Sequence, residues 1–251
     1  MKRCIPALAL LLVLSLPLSA RAGEIVVFAA ASLTNAVETM APIFARLHPG
    51  LTVQPAFAAS GALLGRMDNG DACDVFLSAD VQTMDAAEDR GRIAAASRTI
   101  FAGNTLVLAV PEGNPARVAG LESLFLGGVR RIGVGNPESV PAGRYAKRAL
   151  QQKALWFALT SKLVYYPSVR HVLAAVKAGA CEAGFVYATD AAIAGKAVTV
   201  AATVPLTPPV TYTAAMAANA TDPRDAADFL HFLSTPEARG VLTRFGFGLP
   251  K

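Results

Sequence analysis

Short apolar runs alternate along this chain with segments whose apolar positions recur every three or four residues. "EIVVFAA" (24–30), "LTVQPAFAA" (51–59) and "CDVFLSA" (73–79) have the length and composition of strands. Between and after them, 34–50, 61–70 and 81–91 have helical periodicity. Pro49–Gly50 closes the first of these, Gly70 ends the second and Asp80 stands at the cap of the third. Beyond residue 98 the scheme returns, with strands expected at 104–111, 130–137, 162–167, 182–188 and 197–203, and helices at 142–152 and 168–179. A Pro-rich passage (204–217) precedes two C-terminal helices near 223–233 and 236–244.

Strands and helices in this order predict an α/β protein of two lobes, each a mostly parallel sheet flanked by helices. The chain is expected to cross between lobes near 98–104 and again near 205–212. That assigns 23–100 and 208–251 to lobe I and 101–207 to lobe II. Two lobes joined by two crossings form a hinge, with a ligand expected in the cleft.

The first residues change the picture of where the protein works. Lys2 and Arg3 precede an apolar stretch from Ile5 to about Leu18, followed by Ala20–Arg21–Ala22. That is the pattern of a secretory signal (1–22) cleaved after Ala22, and the stretch is shorter than the ~20 residues of a membrane helix. Cleavage takes three of the 23 basic residues and none of the 18 acidic ones, so the net charge falls from +5 to +2. No Lys/Arg stripe remains, which speaks against a nucleic-acid partner. Cys4 leaves with the signal, and Cys73 and Cys181 are expected as free buried thiols.

Candidate chemistry lies where strands hand over to helices. Four junctions place a small or hydroxyl residue at a helix start: Ser32 after "VFAAA", Ser60 after "AFAA", Pro141–Ala142 after "GNPESV", and Ser168–Val169 after "LVYYP". Such junctions lie beyond the carboxyl ends of the strands, where ligands bind in open sheets. Each helix start offers unpaired N–H groups and partial positive charge. Ala30, Ala31, Ala58, Ala59 and Gly61 are small enough for backbone to approach a ligand closely. Singly, Ser32 and Ser60 read as ordinary N-caps and Tyr187 as a packed core tyrosine. Together, the four junctions describe a neutral cage of donors for a small, fully ionised oxyanion.

"VFAAASLTNA", "FAASGAL", "CDVFLSAD", "GNPESVPAGRYAKRAL" and "GFVYATDA" resemble, in order and over nearly all the mature chain, the molybdate-binding proteins of bacterial molybdate ABC importers. The resemblance implies a type II periplasmic binding fold that holds molybdate or tungstate by hydrogen bonds alone. Metal coordination by side chains, a cofactor and enzymatic activity are not expected. The implied ligand groups are the hydroxyl and N–H of Ser32 and of Ser60, the N–H of Ala142, the N–H of Val169 and the hydroxyl of Tyr187. It also implies a periplasmic monomer that delivers its cargo to a membrane permease. Two positions depart from the pattern. Ser168 stands where many relatives have an acidic residue or asparagine, and Gly61 replaces a serine of some relatives, removing one possible hydroxyl donor.

Three other readings are open to the residues. Another tetrahedral oxyanion such as sulfate fits the same donors. Ferric iron is suggested by Tyr165, Tyr166 and Tyr187. A secreted hydrolase could use Ser32 or Ser60, but it would need a base from His48, His171 or His231, and no G-x-S-x-G is present.

Overall fold

The structure, a computed structural model, describes residues 23–250. The expected signal segment, with Cys4, lies outside the described residues. Chain order begins β1 (Gly23–Ala30), α1 (Thr34–Leu47), β2 (Leu51–Ala58), α2 (Ser60–Asp68), β3 (Val75–Ser78), α3 (Val81–Asp89), β4 (Thr99–Asn104) and β5 (Leu106–Pro111). It continues with β6 (Ile132–Gly135), α4 (Pro141–Gln152), the single turn α5 (Trp156–Leu159), β7 (Leu163–Tyr166), α6 (Val169–Lys177), β8 (Ala183–Tyr187) and α7 (Ala188–Ala194). β9 (Val198–Thr203), β10 (Val210–Met216), α8 (Pro223–Phe232) and α9 (Pro236–Arg244) complete it.

The strands form two five-stranded sheets, ordered β2-β1-β3-β10-β4 and β7-β6-β8-β5-β9. β1 is apolar and buried from Val27 to its end, which suits a strand paired on both edges and covered on both faces. α1 turns Ala36, Val37, Met40 and Phe44 inward, spaced along one face of a helix. Phe44 meets Phe229 and Phe232 of α8 at ring distances of 5.2 and 5.4 Å, so the C-terminal segment packs on the first sheet. Cys73 and Cys181 are free and buried.

Each sheet is mostly parallel, as the sequence leads one to expect, with four of its five strands pointing one way and a single strand running against them. β1, β2 and β3 run parallel in the first sheet, and β6, β7 and β8 in the second. β10 runs antiparallel to β3 and β4, and β5 antiparallel to β8 and β9. β10 is the main departure from the sequence reading, which took it as part of a Pro-rich passage. Its prolines (Pro205, Pro208, Pro209) all precede it, and "VTYTAAM" then enters the sheet as an almost wholly buried strand. β4 also differs: residues 99–104, expected as a crossing, pair with β10 at the edge of the first sheet. Sheet membership therefore changes at Thr105, not at residue 100. β4 was hard to see because its first two residues are exposed and Gly103 interrupts it.

Candidate anion-binding site

Six strands that run parallel within their sheets end at one place. From the first sheet, β1 leads to Ser32, β2 to Ser60 and β3 to Ala79. From the second, β6 leads through a turn to Ala142, β7 to Val169, and β8 ends on Tyr187. Ser32, Ser60, Ala142, Val169 and Tyr187 line one small cavity with Ala30, Ala31, Ala59, Ala79, Val140 and Pro141. All five of the residues singled out in the sequence are thus brought together, and none is more than 4% exposed. The cavity is very small, about 10 Å³. Pockets for drug-sized molecules run to roughly 300–1,000 Å³, so the enclosure suits a single small ion. A larger groove of about 520 Å³, lined by Arg144, Lys147, Arg148 and Pro208 among others, contains none of the five residues.

Neither serine caps its helix. Ser32 lies in a short 3-10 turn (Ala31–Leu33) ahead of α1, and its Oγ is 2.8 Å from the hydroxyl of Tyr212. Ser60 is the first residue of α2, and its Oγ accepts the N–H of Ala79 at 3.0 Å. With a lone pair taken by Ala79, the Ser60 hydroxyl keeps its proton for the cavity. Elsewhere Asp80, Ser168, Asp222 and Thr235 make ordinary side-chain caps. The helices that open on Ser60 and Pro141 have no side-chain cap. Their first N–H groups lack intrahelical partners by helix geometry. Ser168 takes the N–H of His171, and Val169 behind it faces the cavity. Gly143 lets α4 start this close to β6, since a Cβ there would fall 1.8 Å from the carbonyl oxygen of Gly135.

Tyr187 completes the lining. Its hydroxyl is buried and has no hydrogen-bond partner among the described residues. Burial is the main cause that pushes its pKa well above the ordinary phenol value, so it stays a neutral donor. A buried hydroxyl without a partner is costly, about 1–3 kcal/mol, and here it faces a cavity of helix N-termini.

Charged side chains stop short of this space. Arg144 reaches from α4 to the first lobe, where its Nε donates to Asp80 Oδ2 at 2.7 Å and its Nη2 to Thr83 Oγ1 at 2.5 Å. Arg170 pairs with buried Asp190, Nε to Oδ1 at 2.6 Å, and its Nη2 donates to the carbonyl of Ser32 at 3.4 Å. Asp190 also accepts the N–H of Tyr187 at 3.3 Å. Both arginines thus bridge or brace the lobes without lining the cavity, which keeps the lining uncharged.

The iron and hydrolase readings find no supporting geometry among the described residues. Tyr165 is half exposed and Tyr166 lies 3.4 Å from Cys181 Sγ, so neither joins Tyr187 as an iron-binding set would require. His48 stacks on Phe44, and the Nδ1 of His171 bonds the Ser168 hydroxyl. None of the three histidines lines the cavity with Ser32 or Ser60. Sequence reasoning missed Tyr212 and Asn104, which stand directly behind Ser32. Tyr212 carried one signal, the alternation of "VTYTA", hidden by the prolines before it.

This is the architecture of a two-lobed binding protein. The chain belongs to the bacterial extracellular solute-binding proteins, matching that family over residues 25–248. Within it, the chain groups with the ModA proteins. It is 38% identical to the molybdate-binding protein ModA of Escherichia coli, over 90% of this chain and 89% of that one. It is 32% identical to the ModA of Haemophilus influenzae, over 91% of each. The solved periplasmic molybdate-binding protein of Azotobacter vinelandii shares the fold, with a TM-score of 0.78 at 24% identity, covering 91% of this chain and all of that one.

Proposed function

We propose that this protein captures molybdate, and tungstate equally well in kind, in the inter-lobe cavity and hands it to the membrane permease of an ABC importer. The observation that carries the reading is the lining itself. A buried, unpartnered Tyr187 hydroxyl, two serine hydroxyls and the starts of several helices face a space without a cation or a carboxylate. Donors without acceptors suit an oxyanion that has lost all its protons, whereas an anion that keeps one would bring it against another donor. ModA relatives at up to 38% identity favour molybdate among such anions. Ser32 and Ser60 would each give a hydroxyl and an N–H, Ala142 and Val169 an N–H, and Tyr187 its hydroxyl.

The anion settles on one lobe and the other closes over it, completing the cage. The closed pair of lobes is the shape the permease reads. In this reading the protein is an exported periplasmic monomer, released from its signal near Ala22, and a carrier without catalytic chemistry. Lobe I comprises the first sheet with the C-terminal helices, and lobe II the second sheet.

Calorimetric titration of the anion-stripped mature protein with molybdate, tungstate, sulfate and phosphate tests this. Tight one-to-one binding of molybdate and tungstate, with sulfate and phosphate weak, is the expected result. Tight sulfate binding without molybdate would overturn the ligand, and silence with all four would overturn the site.

A further inference from the structure

Behind Ser32 runs a chain of hydrogen bonds whose direction is fixed. The N–H of Thr105 donates to Asn104 Oδ1 at 2.8 Å, so the amide nitrogen of Asn104 faces the other way. That nitrogen donates to Thr189 Oγ1 at 2.9 Å and to the Tyr212 hydroxyl at 3.3 Å. The Tyr212 hydroxyl is fully buried, and its remaining neighbour is Ser32 Oγ at 2.8 Å. Asn104 offers it no acceptor, so its own proton is satisfied only by donation to Ser32. Ser32 then accepts from behind, and its hydroxyl proton is left to point into the cavity.

We infer that Tyr212 and Asn104 are positioning residues for the anion site, fixing Ser32 as an obligate donor and so favouring a fully deprotonated oxyanion over one that retains a proton. The inference rests on the anion-binding reading and adds to it the origin of the site's polarity. The Tyr212 ring is held independently by Phe101, Phe247 and Tyr187 at 6.3, 5.4 and 5.8 Å, so the relay can be cut without unpacking the core. The relay also sits at the hinge. Asn104 ends β4, Tyr212 follows the return crossing, and Thr189 belongs to the opposite lobe.

Two variants separate polarity from structure. Tyr212→Phe keeps the ring and removes the hydroxyl, freeing Ser32 to rotate. Its molybdate affinity is expected to fall about ten-fold, in the range of one hydrogen bond to a charged group. Asn104→Asp turns a donor into an acceptor and reverses the relay. Tyr212 then donates to Asp, Ser32 donates to Tyr212, and the cavity faces a lone pair.

The measurement is titration with molybdate and with inorganic phosphate at about pH 8, where both are mainly dianions and the added carboxylate repels them alike. Asn104→Asp is expected to lose far more affinity for molybdate than for phosphate, whose own proton can meet the exposed lone pair. Thermal unfolding without ligand confirms that each variant folds, and if Tyr212→Phe does not, the anion ratio of Asn104→Asp decides alone. An unchanged ratio of molybdate to phosphate affinity in Asn104→Asp overturns the inference. Failure of the wild-type protein to bind molybdate overturns the functional reading instead.

Discussion

Gly61, at the start of the first lobe's α2, donates its N–H to the carbonyl of Ser139 in the second lobe at 3.0 Å, and a Cβ on Gly61 would lie 2.7 Å from that same oxygen. Glycine here is therefore more than a missing serine hydroxyl, because it allows the two backbones to meet across the cleft. Gly61→Ala should wedge the cleft open. Overpacking costs about 1–3 kcal/mol, and it falls on the closed state alone. The anion affinity of Gly61→Ala should drop accordingly in calorimetry, with ligand-free unfolding little changed, since alanine suits a helix start better than glycine. Wild-type affinity would show that the lobes do not close this tightly.

Ser32→Ala and Ser60→Ala should each weaken molybdate binding by about 1.5–3 kcal/mol, as for other hydrogen bonds to charged groups. Ser60→Ala additionally strands the N–H of Ala79 and should lower thermal stability. Parallel titration and melting of the two variants checks both statements.

Tyr187→Phe should have opposite effects on binding and on stability. The hydroxyl has no partner in the protein, so deleting it should leave the ligand-free protein as stable as wild type or more so. Anion affinity should nevertheless fall. A variant that loses stability and keeps its affinity would place the hydroxyl outside the site.

Arg144 and Asp80 form an inter-lobe pair that is nearly buried, with side chains 17% and 5% exposed. Arg144→Met keeps much of the side chain's length and removes the contact. Binding should weaken and the rate of anion release should rise, which stopped-flow fluorescence can follow. Asp80 also caps α3 through the N–H of Thr83, so Asp80→Ala should cost stability as well.

Burial raises the pKa of Asp190 from the ordinary carboxyl value to about 6, against the opposing pull of Arg170. The folded value lies above the unfolded one, so between about pH 4 and 6 the native state holds a proton that the unfolded chain has lost. This group's stabilising contribution is present below the unfolded value and lost as pH rises through about 6. Urea unfolding of wild type and Asp190→Asn from pH 4 to 7 should therefore show the difference moving against wild type as pH rises. A constant difference would mean that Asp190 titrates alike in both states.

Much of this site could be read from local chemistry. Ser32, Ser60, Ala142 and Val169 follow directly from strand-to-helix junctions, and a run of alanines before a helix signals close backbone approach. What was not legible depends on partners distant in the chain. Asn104 and Tyr212 lie 108 residues apart, as do no two members of any local motif, and Tyr212 reaches Ser32 over a separation of 180. The closeness of Gly61 to Ser139 is likewise a property of two lobes in contact. β4 and β10 were obscured for a local reason, since Gly103 and the prolines at 205, 208 and 209 punctuate segments that tertiary pairing holds extended.

The central claim is that neutral hydrogen-bond donors alone hold the anion. X-ray absorption at the molybdenum edge of the loaded protein tests it most directly. The account predicts the spectrum of a tetrahedral oxyanion, with no ligand added by the protein. An additional oxygen, nitrogen or sulfur ligand bound to molybdenum, from Tyr187, Ser32 or any other residue, would contradict it.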